Sequence, residues 1–210
     1  MVWGKAVRIA AFAAMVLGSM TGAAAALDLT NVAFAQTLSE AASIPVGHAE
    51  FCQKRPAECG PHTEVVSAVH LSDTRWADLM RVNAHVNQTV VPVTDMDLYA
   101  VEEFWTYPNG YGDCEDFVLA KRQALIAAGW PASVLLMAVV RETNGNGHAV
   151  LIVRTDRGDL VLDNQDGYIR LWSDTPYQFV KRQDQANAGR WVDMIDDRLA
   201  TVTATATAGQ

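Results

Sequence analysis

The sequence predicts an α+β fold, with helices in the first half of the chain and an antiparallel sheet in the second. Three observations carry this. Apolar residues recur at helical spacing from Thr74 to about Val90 and again from Cys114 to about Ala128. From Ser133 onward the pattern changes to runs of Val, Leu and Ile. Between two of those runs lies Asp156-Arg157-Gly158, a hairpin turn. Helices first and strands afterwards, without β-α alternation, mark α+β rather than a parallel sheet.

The elements follow in order. Lys5 and Arg8 precede an apolar run from Ile9 to Met20 and the small-residue tract Gly22 to Ala26, which reads as a signal peptide over residues 1–26. The run is short for a membrane span, so an uncleaved anchor is the weaker alternative, and Ala33-Phe34-Ala35 offers a second, more distant cut. Residues 27–46 are weakly patterned and read as a frayed arm or short strand, ahead of one domain over 47–196. In the first helix Trp76, Leu79, Met80, Ala84 and Val86 form the buried stripe, with Asp73 or Thr74 as N-cap. Val90–Val93 is β-rich, Asp97–Trp105 reads as a second short helix, and Pro108-Asn109-Gly110 turns the chain. The central helix ends at Gly129, placed as a C′ glycine with Pro131 beyond it. Strands are expected at 133–141, 148–155, 160–163, 168–172, 177–182 and 190–194, and a disordered low-complexity tail at 197–210.

The chain carries 16 basic and 24 acidic side chains; without Lys5 and Arg8 the balance is 14 to 24, or −10. Such an acidic surface argues against nucleic acid or anionic lipid as a partner. Three cysteines leave one over if two pair. Export favours a Cys52–Cys59 disulfide and a free Cys114. A zinc site of His48, Cys52, Cys59 and His62 is the rival, and the absence of Cys-x-x-Cys excludes a dithiol oxidoreductase.

The chemistry centres on Gly112-Asp113-Cys114-Glu115-Asp116-Phe117, where a tight turn becomes a helix. Free N–H groups and the helix dipole at that end favour a thiolate at Cys114. If the hairpin pairs Arg154 with Asp159, then Val150 lies opposite Asp163, and His148 and Asp163 become diagonal neighbours on one face. Asp163 then fixes the imidazole and His148 serves Cys114 as base and acid. Taken singly, each residue has a plainer reading: a small buried hydrophobe, a surface histidine, a turn aspartate. The backbone N–H of Cys114 is a natural oxyanion donor, and Trp105 or Asn109 is a candidate for the second.

Tyr111 to Phe117, Gly147-His148-Ala149-Val150-Leu151 and Leu162-Asp163-Asn164, together with Phe51-Cys52 and Pro56-Ala57-Glu58-Cys59, resemble the bacterial transglutaminase-like cysteine proteinases. The resemblance spans about residues 45 to 195 and implies a papain/transglutaminase-like fold, the nucleophile helix packed on an antiparallel sheet. It implies a Cys114-His148-Asp163 protease, exported or periplasmic, like the LapG-type branch that releases surface adhesins in biofilm control. A protein substrate, an adhesin among the choices, and an inner-membrane regulatory receptor are the implied partners. Calcium held by Asp113, Glu115 and Asp116 is the implied metal, with no organic cofactor. The plainer reading of these acids is a first helical turn answering its dipole, with Asp113 as N-cap. A transglutaminase or amidase acting on glutamine side chains, and a non-catalytic binding module of the same fold, are the alternative functions.

Overall fold

The computed structural model describes Met1 and residues 34–198. Residues 2–33, which hold the expected signal peptide beyond Met1 and the first part of the arm, and residues 199–210 of the expected tail lie outside the described residues. Helices α1 (Val46–Lys54), α2 (Asp73–Thr89), α3 (Asp95–Tyr99) and α4 (Cys114–Ala127) precede most of the sheet. A two-residue parallel pair, β2 (Val91–Pro92) and β3 (Tyr111–Gly112), brackets α3. The main sheet contains β1 (Gln36–Ala41), β4 (Leu135–Arg141), β5 (Gly147–Thr155), β6 (Gly158–Leu162), β7 (Arg170–Leu171), β8 (Gln178–Gln183) and β9 (Trp191–Ile195). Its order is β1-β9-β8-β4-β5-β6-β7, antiparallel throughout. The α+β expectation holds.

The unbroken Val, Leu and Ile runs arise because both faces of the central strands are buried. Alternate residues Leu135, Met137, Leu151, Val153, Leu160 and Leu162 join Phe117, Val118 and Leu125 of α4 in one core. Leu136, Ala138, Val140, Val150, Ile152 and Val161 point the other way and form a second, with Phe179 and Met194. The hairpin has the register the sequence implies: Arg154 pairs with Asp159 and Leu151 with Leu162.

Several boundaries differ for physical reasons. Ser72, rather than Asp73 or Thr74, caps α2, its hydroxyl accepting from the Arg75 N–H at 3.3 Å. The helix expected over 97–105 is α3 alone, stopping where Ala100 turns left-handed at φ 58°. Beyond it, the N–H groups of Phe104 and Thr106 are taken by the carboxylates of Asp95 and Asp116, which draws the segment out of helix. Residues 132–134 form a turn of 3₁₀ helix, so β4 starts at Leu135, and the strand expected over 168–172 shrinks to Arg170–Leu171. The arm supplies β1 on the sheet edge. Gly129, at φ 87°, closes α4 as the C′ residue.

Helix α1, which no apolar stripe in the sequence announces, carries Cys52, and Cys59 follows it. Cys52 and Cys59 form a disulfide with Cα atoms 5.5 Å apart, and Cys114 is free. The zinc alternative falls, because both sulfurs are spent on each other and buried His48 accepts the Trp191 indole N–H at 3.1 Å.

Candidate active site

Three elements bring the expected catalytic residues together. Cys114 opens α4 and is partly exposed; His148 is the second residue of β5; Asp163 follows the last residue of β6. The β5–β6 register places the last two on one face, and His148 Nε2 lies 2.8 Å from Asp163 Oδ1. Both are nearly inaccessible, so this bond forms away from competing water. The other Asp163 oxygen accepts the Tyr177 hydroxyl at 2.5 Å, and Oδ1 also accepts the Gln165 N–H at 3.0 Å. Burial pushes the Asp163 carboxyl upward, but the bonds from His148, Tyr177 and Gln165 win and hold it below its ordinary value. With Nε2 committed to Asp163, Nδ1 is left on the other side of the ring, 3.4 Å from Gln165 Nε2.

Cys114 and His148 share two cavities. One, of about 350 Å³, is also lined by Pro45, Glu103, Trp105, Val139, Ala149 and Lys181. The other, of about 330 Å³, is lined by Pro92, Val93, Asp113, Glu142, Asn164 and Gln165. The sulfur donates to Glu115 Oε2 at 3.1 Å. Burial and the Glu115 charge hold this thiol well above its ordinary range, with the Ala149 N–H acting in the opposite direction. A helix terminus alone therefore does not ionise Cys114 here; burial first, and then the acidic neighbours, outweigh it.

Of the acids around the nucleophile, the structure gathers Asp113 and Asp116 with Asp95, not with Glu115; carboxylate oxygens of these three lie within 4.8 Å of one another. Each spends one oxygen on the backbone: Asp95 Oδ2 accepts from Phe104, Asp113 Oδ2 from Asp95 at 3.2 Å, Asp116 Oδ1 from Thr106 at 2.8 Å. The second oxygen of each, Asp95 Oδ1, Asp113 Oδ1 and Asp116 Oδ2, is buried without a hydrogen-bond partner. Three carboxylates that close, each with one orphaned oxygen, fit a hard dication. Burial and the Asp113 and Asp95 charges push Asp116 up to about 7, and burial with the Asp113 charge pushes Glu115 up to about 9. Gly112 is required beside them, since a Cβ there would lie 2.6 Å from Asp116 Oδ2. Asp113 is the N-cap residue of α4 by position, yet its side chain makes no capping bond.

Neither side-chain oxyanion candidate is set for that role. The Trp105 indole N–H donates to Glu103 Oε2 at 3.0 Å, although the ring lines the first cavity. Asn109 is exposed in the turn before β3 and lines neither cavity. Sequence reasoning missed Asp95 and Tyr177. The first lies ahead of the helix expected over 97–105, and the second carries no motif at all.

Over residues 38–199 the chain matches the family described as bacterial transglutaminase-like cysteine proteinase BTLCP. No curated protein matches it. Among solved structures it is similar to Legionella pneumophila LapG in calcium-bound form, at 28% identity over 52% of this chain and 65% of that one, with a TM-score of 0.47. The EGTA-treated form gives 27% over 58% and 68%, TM-score 0.49, and a further LapG structure 27% over 62% and 74%, TM-score 0.48. The chain thus covers just under two thirds of the calcium-bound structure.

Proposed function

The chain belongs to the bacterial transglutaminase-like cysteine proteinases, and from that premise we propose that it is an exported cysteine endopeptidase using Cys114, His148 and Asp163. The observation that carries this reading is the pair of cavities meeting at Cys114 and His148. Two cavities that share the nucleophile and its histidine offer room for a chain that spans both, which suits internal cleavage rather than trimming of an end.

His148 takes the thiol proton on Nδ1 while Nε2–H stays on Asp163. The sulfur attacks the peptide carbonyl, and His148 returns the proton to the leaving amine, which departs and leaves a thioester. A water then gives its proton to His148 and attacks the thioester; the new carboxylate leaves and the thiol is restored. The Cys114 N–H at the start of α4 faces the developing oxyanion. Tyr177 and Gln165 hold Asp163, and so hold the imidazole tautomer.

Calcium is the cation we assign to Asp95, Asp113 and Asp116, whose orphaned oxygens fit it. When bound, it would offset the charge of Asp113, the member of the cluster that opposes a thiolate at Cys114. The substrate is a segment of an exported or surface protein, an adhesin in the first instance, met in the periplasm or outside the cell.

The test compares proteins shed by cells carrying the wild-type chain and Cys114→Ala, with new N-termini labelled and identified by mass spectrometry. Internal cleavage lost in the variant supports the reading. Glutamine crosslinks or amine adducts without new termini would replace it by acyl transfer to amines.

A further inference from the structure

Away from the catalytic cleft, the second half of α4 and the segment around Cys59 enclose a cavity of about 270 Å³, which shares no lining residue with either cavity at Cys114. Arg122 of α4 is 6% exposed and lines this cavity, so the little of its side chain that is accessible opens there. Glu58, His62 and Tyr107 are polar neighbours on the wall, and Pro61 and Ile126 are apolar ones.

A guanidinium carries five N–H donors and keeps its charge at any pH the protein meets. The Arg122 Nε–H goes to the Leu135 carbonyl at 3.1 Å, which fixes the plane of the group. Among the described residues the four N–H groups on its terminal nitrogens meet no acceptor, and no carboxylate comes within ion-pair distance. Glu58, the acid on the same wall, is already engaged: it accepts the Tyr107 hydroxyl and faces Arg55 at 3.6 Å. His62 is anchored by its backbone N–H, which donates to the Ala186 carbonyl at 2.9 Å, while its ring makes no hydrogen bond among the described residues. Burial, and then the Arg122 charge, hold that ring below its ordinary pKa, which leaves it neutral with one N–H to give.

A buried cationic fork without a counterion is costly, and an apolar side chain would fill the same place at lower cost. The fork has the spacing of a carboxylate, which it can hold by two parallel N–H bonds. Glu58 on the wall repels a second negative charge, which disfavours a dianion such as sulfate. Pro61 and Ile126 suit an aliphatic body, and the volume admits a short one. We propose that this cavity binds a small aliphatic monocarboxylate, its oxygens held by the Arg122 guanidinium with the His62 ring beside them. The site is independent of the protease reading, and its filling requires no catalysis.

The experiment follows butyrate by ligand-observed NMR with the full chain and calcium near neutral pH, in the wild type, Arg122→Met and His62→Ala, with acetate, sulfate and chloride as competitors. In the wild type the butyrate signal should saturate with concentration. Acetate should displace it, sulfate at equal concentration should displace little, and chloride at equal ionic strength none. A folded Arg122→Met should lose saturable binding. His62→Ala, which leaves the Arg122–Leu135 bond in place, should raise Kd about 10-fold for the loss of one bond to a charged group, and it carries the test if Arg122→Met does not melt cooperatively. A signal that never saturates in the wild type, binding unchanged in a folded Arg122→Met, or an unchanged Kd in His62→Ala would overturn the proposal. Displacement by sulfate as complete as by acetate would overturn the assignment of a monocarboxylate.

Discussion

Asp163 is the most heavily bonded side chain of the site, and its three partners differ in what they contribute. The His148 bond sets the tautomer, whereas Tyr177 and the Gln165 N–H keep the carboxylate from rotating. Tyr177→Phe should therefore keep the fold and lower kcat, by about 10-fold for the loss of one bond to a charged group, with the drop read in steady-state cleavage of a peptide substrate. An unchanged kcat would remove Tyr177 from the machinery. At the acidic cluster, Asp95→Asn leaves the Phe104 contact an acceptor but removes a charge. Calcium should raise the melting temperature of the wild type, by an amount set by concentration over Kd, and should do so much less in Asp95→Asn. Equal shifts in both would exclude Asp95 as a ligand. Cys114, His148 and Asp163 were legible because a turn, a hairpin register and a strand end fix where they go. Asp95 was not, since its partners stand 18 and 21 residues further along the chain and meet it only through the β2–β3 pair.

Among elements, the hairpin carries the site. Because side chains alternate along a strand, a one-residue slip of β6 against β5 would turn Asp163 away from His148; the observed Arg154–Asp159 pairing prevents it. The short Asp156-Arg157 turn is pinned by the Thr155 hydroxyl, which donates to the Gly158 carbonyl at 2.9 Å and accepts from the Arg157 N–H at 3.1 Å. Helix α2 is pinned at its start by Ser72, and Ser72→Ala should lower stability by about 1 kcal/mol in denaturant unfolding with activity retained. A change within error would mean the cap is redundant. The α2 and α4 stripes were readable from spacing. Helix α1 was not, because its buried positions, Gly47, His48 and Phe51, include a glycine and a histidine that no apolar stripe predicts.

Across the molecule, α1 is tied to the sheet through His48, which accepts from Trp191 of β9 and packs edge-on against the Trp105 ring that lines the first cavity. Burial, aided by the Arg122 charge, pulls His48 down to about 4. Its folded pKa lies below the unfolded value near 6.5, so the unfolded chain binds the extra proton and stability is lost as pH falls from about 6.5 to 4. In denaturant titrations the stability advantage of the wild type over His48→Gln should shrink by about 3 kcal/mol between pH 7 and 4. A constant advantage would show that His48 is not held neutral. The buried faces of the sheet were visible as unbroken apolar runs, but their layering was not, since a strand buried on both sides gives no alternation to read. Across the whole fold, Cys114, His148 and Asp163 are proposed to work as one unit. The most direct measurement of this is the rate of Cys114 alkylation by iodoacetamide near neutral pH, with calcium, in the wild type, His148→Ala and Asp163→Asn. A wild-type rate well above that of free cysteine and a large fall in both variants are expected; equal rates in all three would show that the three residues do not act together.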